Sequence, residues 1–224
     1  MRTLILAVCA IGFVGMAQAI TWNWQKEVAN GTVGKFESWH ISNDPNFARG
    51  TVGIVANMTA NGSGTLFSFG ENKAGATNDS TTAISIGVNA QGNYTVSLER
   101  IGGTGTTNTI ARKEGETTFG IAVTRPTPKN SRIDITVYVG DETLFTLTNG
   151  TTQKGAGGFW LYDYAVGRAF GDEAASEGLF TGTVDIAYSP SLATGKDIKD
   201  LPEPTALALL ALGVAGLALR RRVA

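Results

Sequence analysis

The sequence predicts an all-β protein, an antiparallel β-sandwich, on three observations. About a dozen short segments alternate apolar and polar residues and recur at short, regular spacing. Turns rich in Gly, Asn, Asp and Thr separate them, and the chain of 224 residues holds 29 glycines, which supply the positive φ angles of tight turns. Helix-favouring Glu, Lys, Leu and Gln are sparse in the middle, where no convincing helical period occurs. Each such strand has one apolar face to cover. Two sheets packed face to face are the simplest arrangement, a closed barrel the alternative.

The elements follow in order. Ile20 to Trp24 alternates, so Ile20, Trp22 and Trp24 share a face. Gly34 to Ile41 follows a turn at Gly31, and Asn43 to Asn46 turns again. Thr51 to Thr59 puts Val52, Ile54, Ala56 and Met58 on one side; Asn61-Gly62-Ser63-Gly64 then reads as a hairpin turn leading into Thr65 to Phe69. After a polar loop, Ala83 to Val88 and Tyr94 to Ile101 flank a turn at Asn89 to Gly92, with Tyr94, Val96 and Leu98 aligned. Gly102 to Thr107 is a Gly/Thr loop. Thr118 to Thr124 is a strand ended by Pro126 and Pro128. Arg132 to Val139 alternates strongly, with Ile133, Ile135, Val137 and Val139 inward and Asp134, Thr136 and Tyr138 outward. Gly140-Asp141-Glu142 turns the chain into Thr143 to Leu147; Phe159 to Tyr164 and Leu179 to Tyr188 are the last strands.

Both ends differ from the middle. Met1 to Ala19 has a basic start at Arg2, an apolar run from Leu4 to Met16 and an Ala17-Gln18-Ala19 cleavage site, the pattern of a secretory signal peptide whose small residues Ala17 and Ala19 direct signal peptidase to cut before Ile20. Its removal takes away Cys9, the only cysteine, so the exported domain must be stabilised by its core rather than by disulfides. At the other end, Pro202-Glu203-Pro204 resists helix. Thr205 to Leu219 is an Ala/Leu-rich run of 15 residues, and Arg220-Arg221-Arg222 closes it. As a helix the run spans about 22 Å, short for a bilayer core of about 30 Å, and the arginines hold the cytoplasmic side. The chain divides into residues 1–19, a single domain over 20–198, and a tail over 199–224. Ile20 to Glu203 holds 14 of the 18 basic residues and all 19 acidic ones, a net charge of about −5, which argues against a nucleic-acid partner.

Two resemblances follow from these residues. The order Pro-Glu-Pro, apolar helix and arginine cluster resembles the PEP-CTERM sorting signal. That resemblance implies a transient membrane anchor processed by exosortase and delivery to the cell surface or extracellular matrix of a Gram-negative bacterium. The order of segments over Gly34 to Thr194 resembles the laminin G-like, or concanavalin A-like lectin/glucanase, jelly roll. Gly64-Thr-Leu-Phe-Ser-Phe-Gly70, the pair Thr117–Thr124 and Ile133–Asp141, and the closing Leu179–Leu192 carry it. Phe119-Gly120 replaces the family's Trp-His, and Gly140-Asp141 inverts its Asp-Gly turn.

Catalysis is not expected. Retaining glycosidases need two carboxylates about 5–5.5 Å apart across the scissile bond, and no strand here carries alternating acids of that kind. Asp172, Glu173 and Glu177 lie among Gly and Ala; Glu114 and Glu116 flank a glycine; Asp163 and Asp185 stand singly. His40 is the only histidine, with neither a nucleophile elbow nor a metal-ligand pair beside it. The candidate ligand residues are Trp160, Tyr162 and Tyr164, alternating on one strand with Asp163, since aromatic faces stack on sugars; a same-face aromatic triplet is more often core. The lectin-like resemblance also implies calcium, for which Asp44, Asn46, Asp79 and Asp172 are oxygen donors without a defining spacing. The expectation is a non-catalytic structural or carbohydrate-binding protein. The alternatives are a polysaccharide-active enzyme and a protein-binding adhesin.

Overall fold

The computed structural model describes residues 20–36, 49–60, 62–71, 81–99, 101–125, 132–152, 161, 163–170 and 179–201. In chain order its strands are β1 (Asn23–Ala29), β2 (Val33–Lys35), β3 (Arg49–Met58), β4 (Gly64–Glu71), β5 (Thr81–Val88), β6 (Tyr94–Leu98), β7 (Ile101–Gly102), β8 (Thr106–Thr107), β9 (Gly115–Thr124), β10 (Arg132–Val139), β11 (Glu142–Thr152), β12 (Asp163–Val166) and β13 (Phe180–Ser189). Among the described residues one helix, α1 (Gly195–Lys199), follows them. Eight strands form one sheet, ordered β1-β13-β3-β9-β10-β11-β7 with β8 also on β11; five form the other, ordered β2-β12-β4-β5-β6. All pairings are antiparallel. This is the two-sheet sandwich that the alternating strands predict.

The core lies between the sheets. Val52, Ile54, Ala56 and Met58 on β3 are buried, as are Ile133, Ile135, Val137 and Val139 on β10, so the strand period sets the inward face. Aromatic rings stitch the layers together. Phe67 of the smaller sheet meets Phe119 at 5.4 Å and Phe180 at 6.1 Å between ring centroids, and Tyr94 meets Phe119 edge-on at 5.3 Å. Burying each such side chain stabilises by about 1.5–3 kcal/mol relative to exposure.

Two connections differ from the sequence expectation. Asn61 to Gly64 does not close a hairpin: β3 and β4 lie in different sheets, so this stretch carries the chain from one layer to the other. Gly62 and Gly64 take φ of 97° and 139° there, and the Arg112 guanidinium donates to the carbonyls of Ala60 and Gly62. Likewise the segment Tyr94 to Ile101 divides after Leu98, with β6 in the smaller sheet and β7 in the larger. The Asn89 turn is a hairpin as expected, its Oδ1 accepting from the N–H groups of Gln91 and Asn93 at 3.0 and 2.9 Å.

The third difference lies on the outer face of the larger sheet. Cross-strand register sets Trp24, Ala187, Gly53, Gly120 and Tyr138 in one row over β1, β13, β3, β9 and β10. The row is a trough, with a floor of Ala187 and two glycines and walls of Trp24 and Tyr138. The helix absent from the sequence reading lies across it. Ile198 is fully buried and Leu201 is 6% exposed, packed with Ile20, Trp22, Trp24, Val55 and Tyr138 in a second apolar cluster. Ile20, Trp22 and Trp24 therefore share a face as expected, but they face this outer cluster rather than the sandwich interior. Tyr138, expected outward, is covered by the same cluster. Among the described residues no helix is long and apolar enough to cross a membrane; the run Thr205–Leu219 lies outside them.

Candidate functional site

A polar hollow of about 300 Å3 opens where β9 begins and β10 ends, beside α1. Its charged lining is Lys113, Glu116, Asp141 and Lys199, with Thr117, Thr118 and Gly140 between them. The two-residue turn Gly140-Asp141 builds one side. It joins Val139 to Glu142, with Gly140 at φ 57° and its N–H donating to the Thr118 carbonyl at 2.8 Å; a positive φ at the first central position of a two-residue hairpin turn favours glycine there. Helix α1 builds the other side and brings Lys199.

Two ion pairs order the cations. Lys113 Nζ lies 2.9 Å from Glu142 Oε1, and Lys199 Nζ lies 2.9 Å from Asp141 Oδ2. The hydrogen bond to Glu142 raises the Lys113 pKa, and that to Asp141 raises the Lys199 pKa. The hydrogen bond from Lys199 in turn holds the Asp141 carboxyl below its ordinary range. At neutral pH the hollow therefore presents ammonium donors, a carboxylate and threonine hydroxyls to one space. Such a lining suits a polyhydroxylated ligand, whose hydroxyls both donate and accept.

The sequence-derived candidates are placed differently. Tyr164 is a core residue, 6% exposed, with its ring 5.3 Å from that of Phe36 and lying across Gly34. Burial raises its phenol pKa. Asp163 points to the other side of β12 and is also 6% exposed. Trp160, Tyr162, His40, the calcium candidates Asp44, Asn46, Asp79 and Asp172, the signal residues Ala17 and Ala19, and Pro202 to Pro204 with Arg220 to Arg222 all lie outside the described residues. Among the described residues no group of three or more His, Cys, Asp or Glu side chains is arranged to hold a metal. Glu116, which reads as a solvated loop residue in the sequence, is on β9 and faces the hollow. Asp185 accepts from the Glu27 N–H at 2.8 Å, a structural duty.

Sequence reasoning missed the hollow because Lys199 reaches it only through α1. A usable signal was present: Gly53 and Gly120 stand at outward positions of long strands, where glycine marks close approach of another segment.

Residues 200–222 match the PEP-CTERM protein-sorting motif, so the chain carries the signal of an exported protein processed by exosortase. No curated protein matches the sequence. Solved structures with a similar outline include the Ruminococcus gnavus IT-sialidase CBM40, at 13% identity and TM-score 0.43, covering 83% of this chain and 100% of that one. Trypanosoma rangeli sialidase in complex with the inhibitor DANA is similar at 15% identity and TM-score 0.40, covering 70% of this chain. A leech intramolecular trans-sialidase is similar at 15% identity and TM-score 0.42, covering 80%. The chain spans 22% of the Trypanosoma enzyme and 27% of the leech enzyme. Likeness at this level carries nothing about ligand or activity.

Proposed function

We propose that the processed protein is a non-catalytic component of the cell surface or extracellular matrix that binds polysaccharide. The sorting motif on a β-sandwich carries this reading, and the polar hollow supports a hydroxylated ligand. The hollow's electrostatics favour binding over turnover. Lys199 keeps Asp141 ionised, the opposite of what a general acid needs at neutral pH. The runner-up, a polysaccharide-active enzyme, has in its favour the neighbouring acid Glu116. A protein-binding adhesin is the third reading.

Purified protein probed on a glycan array, with and without calcium, separates the three. Binding without reducing-sugar release supports the first, and release establishes the second. No signal on any glycan, in calcium or chelator, leaves the adhesin. Lys113→Ala and Glu116→Gln should each weaken glycan binding about tenfold, roughly the loss of one charge-assisted hydrogen bond. Unchanged affinity in both variants would remove the hollow as the site.

A further inference from the structure

We infer that the segment Ser191–Leu201 is a strap whose docking on the sandwich controls access to the sorting motif. The inference rests on the export reading above. The matched motif begins at Asp200, the C-cap of α1, and its second residue, Leu201, is already buried. The motif therefore starts inside the fold, without an intervening linker.

The seat of the strap is built into the sheet. A Cβ on Gly120 would lie 2.4 Å from Ile198 Cγ1, and one on Gly53 would lie 3.0 Å from both Leu201 methyls and 3.1 Å from the Trp22 ring. A Cβ on Gly195 would lie 2.4 Å from the Asp141 carbonyl. Close contact thus needs glycine on both sides of the joint. Upstream, Thr51, itself fully buried, donates its hydroxyl to the Ser191 carbonyl and accepts from the Ala193 N–H, each at 2.9 Å. Thr194 and Asp197 close a capping box at the start of α1.

Chain length turns this docking into a gate. Only Pro202, Glu203 and Pro204 separate Leu201 from the apolar run. Three residues span at most about 10 Å. While the strap is docked and the run is in the membrane, the outer face of the larger sheet is held against the membrane surface. A peptidase must take its substrate as extended chain on both sides of the cut, and Leu201 is not available in that form. Release of the strap back to Ser191 adds about ten residues, roughly 35 Å of reach. Processing then draws on the released population, which substitutions in the seat would raise or abolish.

The test uses the full chain in membranes of a cell that carries exosortase, following loss of the tail by mass. Ile198→Asp, which places a charge in the trough, should speed tail loss about tenfold or more. The pair Gly120→Cys with Ile198→Cys, oxidised, should stop tail loss, and reductant should restore it. A Cβ at position 120 would lie within 3.2 Å of both Ile198 Cγ atoms, close enough for a disulfide. The only natural cysteine, Cys9, is in the leader. Tail loss from the cross-linked protein at the wild-type rate would overturn the gate. So would an unchanged rate in Ile198→Asp once its tryptophan emission shows the strap released. Should Ile198→Asp not fold, the cross-link and its reversal decide alone. A tail retained by wild type and every variant would overturn the export reading and the gate together.

Discussion

At Glu27 and Asn149 the backbone takes φ of 55° and 56°, a region that costs non-glycine residues energy. The two share a remedy. The Glu27 N–H donates to Asp185 Oδ1 at 2.8 Å and the Asn149 N–H to Asp134 Oδ1 at 2.6 Å, and each pair lies where strand register shifts. A carboxylate on the neighbouring strand thus holds each irregularity. Asp134→Ala and Asp185→Ala should each lower stability by about 1–2 kcal/mol in urea unfolding, with less effect from Asn. Tyr94 makes a different residue-scale case. Burial, the largest effect on it, lifts its phenol above the ordinary value of 10.0. The neutral phenol is the form that fits the fold. Its stabilisation is complete below pH 10, the unfolded value, and is lost as pH climbs through the higher folded value. Tyr94→Phe should flatten the decline of melting temperature above pH 10.

Among the elements, α1 is held chiefly by apolar burial. A fully buried isoleucine contributes about 2 kcal/mol or more, whereas the Lys199–Asp141 pair is more than half exposed to solvent and screened. Gly120→Ala should therefore dislodge the strap more than Lys199→Ala does. It should cost about 1–3 kcal/mol through overpacking and open proteolysis near Thr194, while far-ultraviolet circular dichroism stays that of the sandwich. Acid should loosen the same element early. The Thr194 side chain holds the Asp197 carboxyl below its ordinary 3.8. That stabilisation is present above this pH and disappears as pH falls through the lower folded value. A red shift of tryptophan emission below about pH 4, ahead of global unfolding, would report it through Trp22 and Trp24.

Over the whole molecule, the strap ties the end of the described chain to its beginning, since Leu201 and Trp22 meet over Gly53. Ending the chain at Pro190 should leave both sheets folded, because their joint core is separate from the outer cluster. The melting temperature should fall by roughly 10 °C, the equivalent of about 3–4 kcal/mol in a domain of this size. Cooperative loss of both sheets in that variant would show that the outer cluster belongs to the main core.

The sequence by itself determined the long central strands and the inward faces of β3, β10 and β13. Alternation on β3, β10 and β13 is a local property, and burial then follows from period two. It also determined export, because the motif at residues 200–222 is contiguous. Which strands share a sheet was decided only by the tertiary structure: a turn such as Asn61–Gly64 has the same local chemistry whether it closes a hairpin or crosses between layers. The same holds for the hollow and the strap. Lys113, Glu116, Asp141 and Lys199 come from separate segments, and a five-residue helix has too little intrinsic stability to show in its own sequence. It forms because Gly53 and Gly120, opposite each other across β3 and β9, leave a place for Ile198 and Leu201 to be buried.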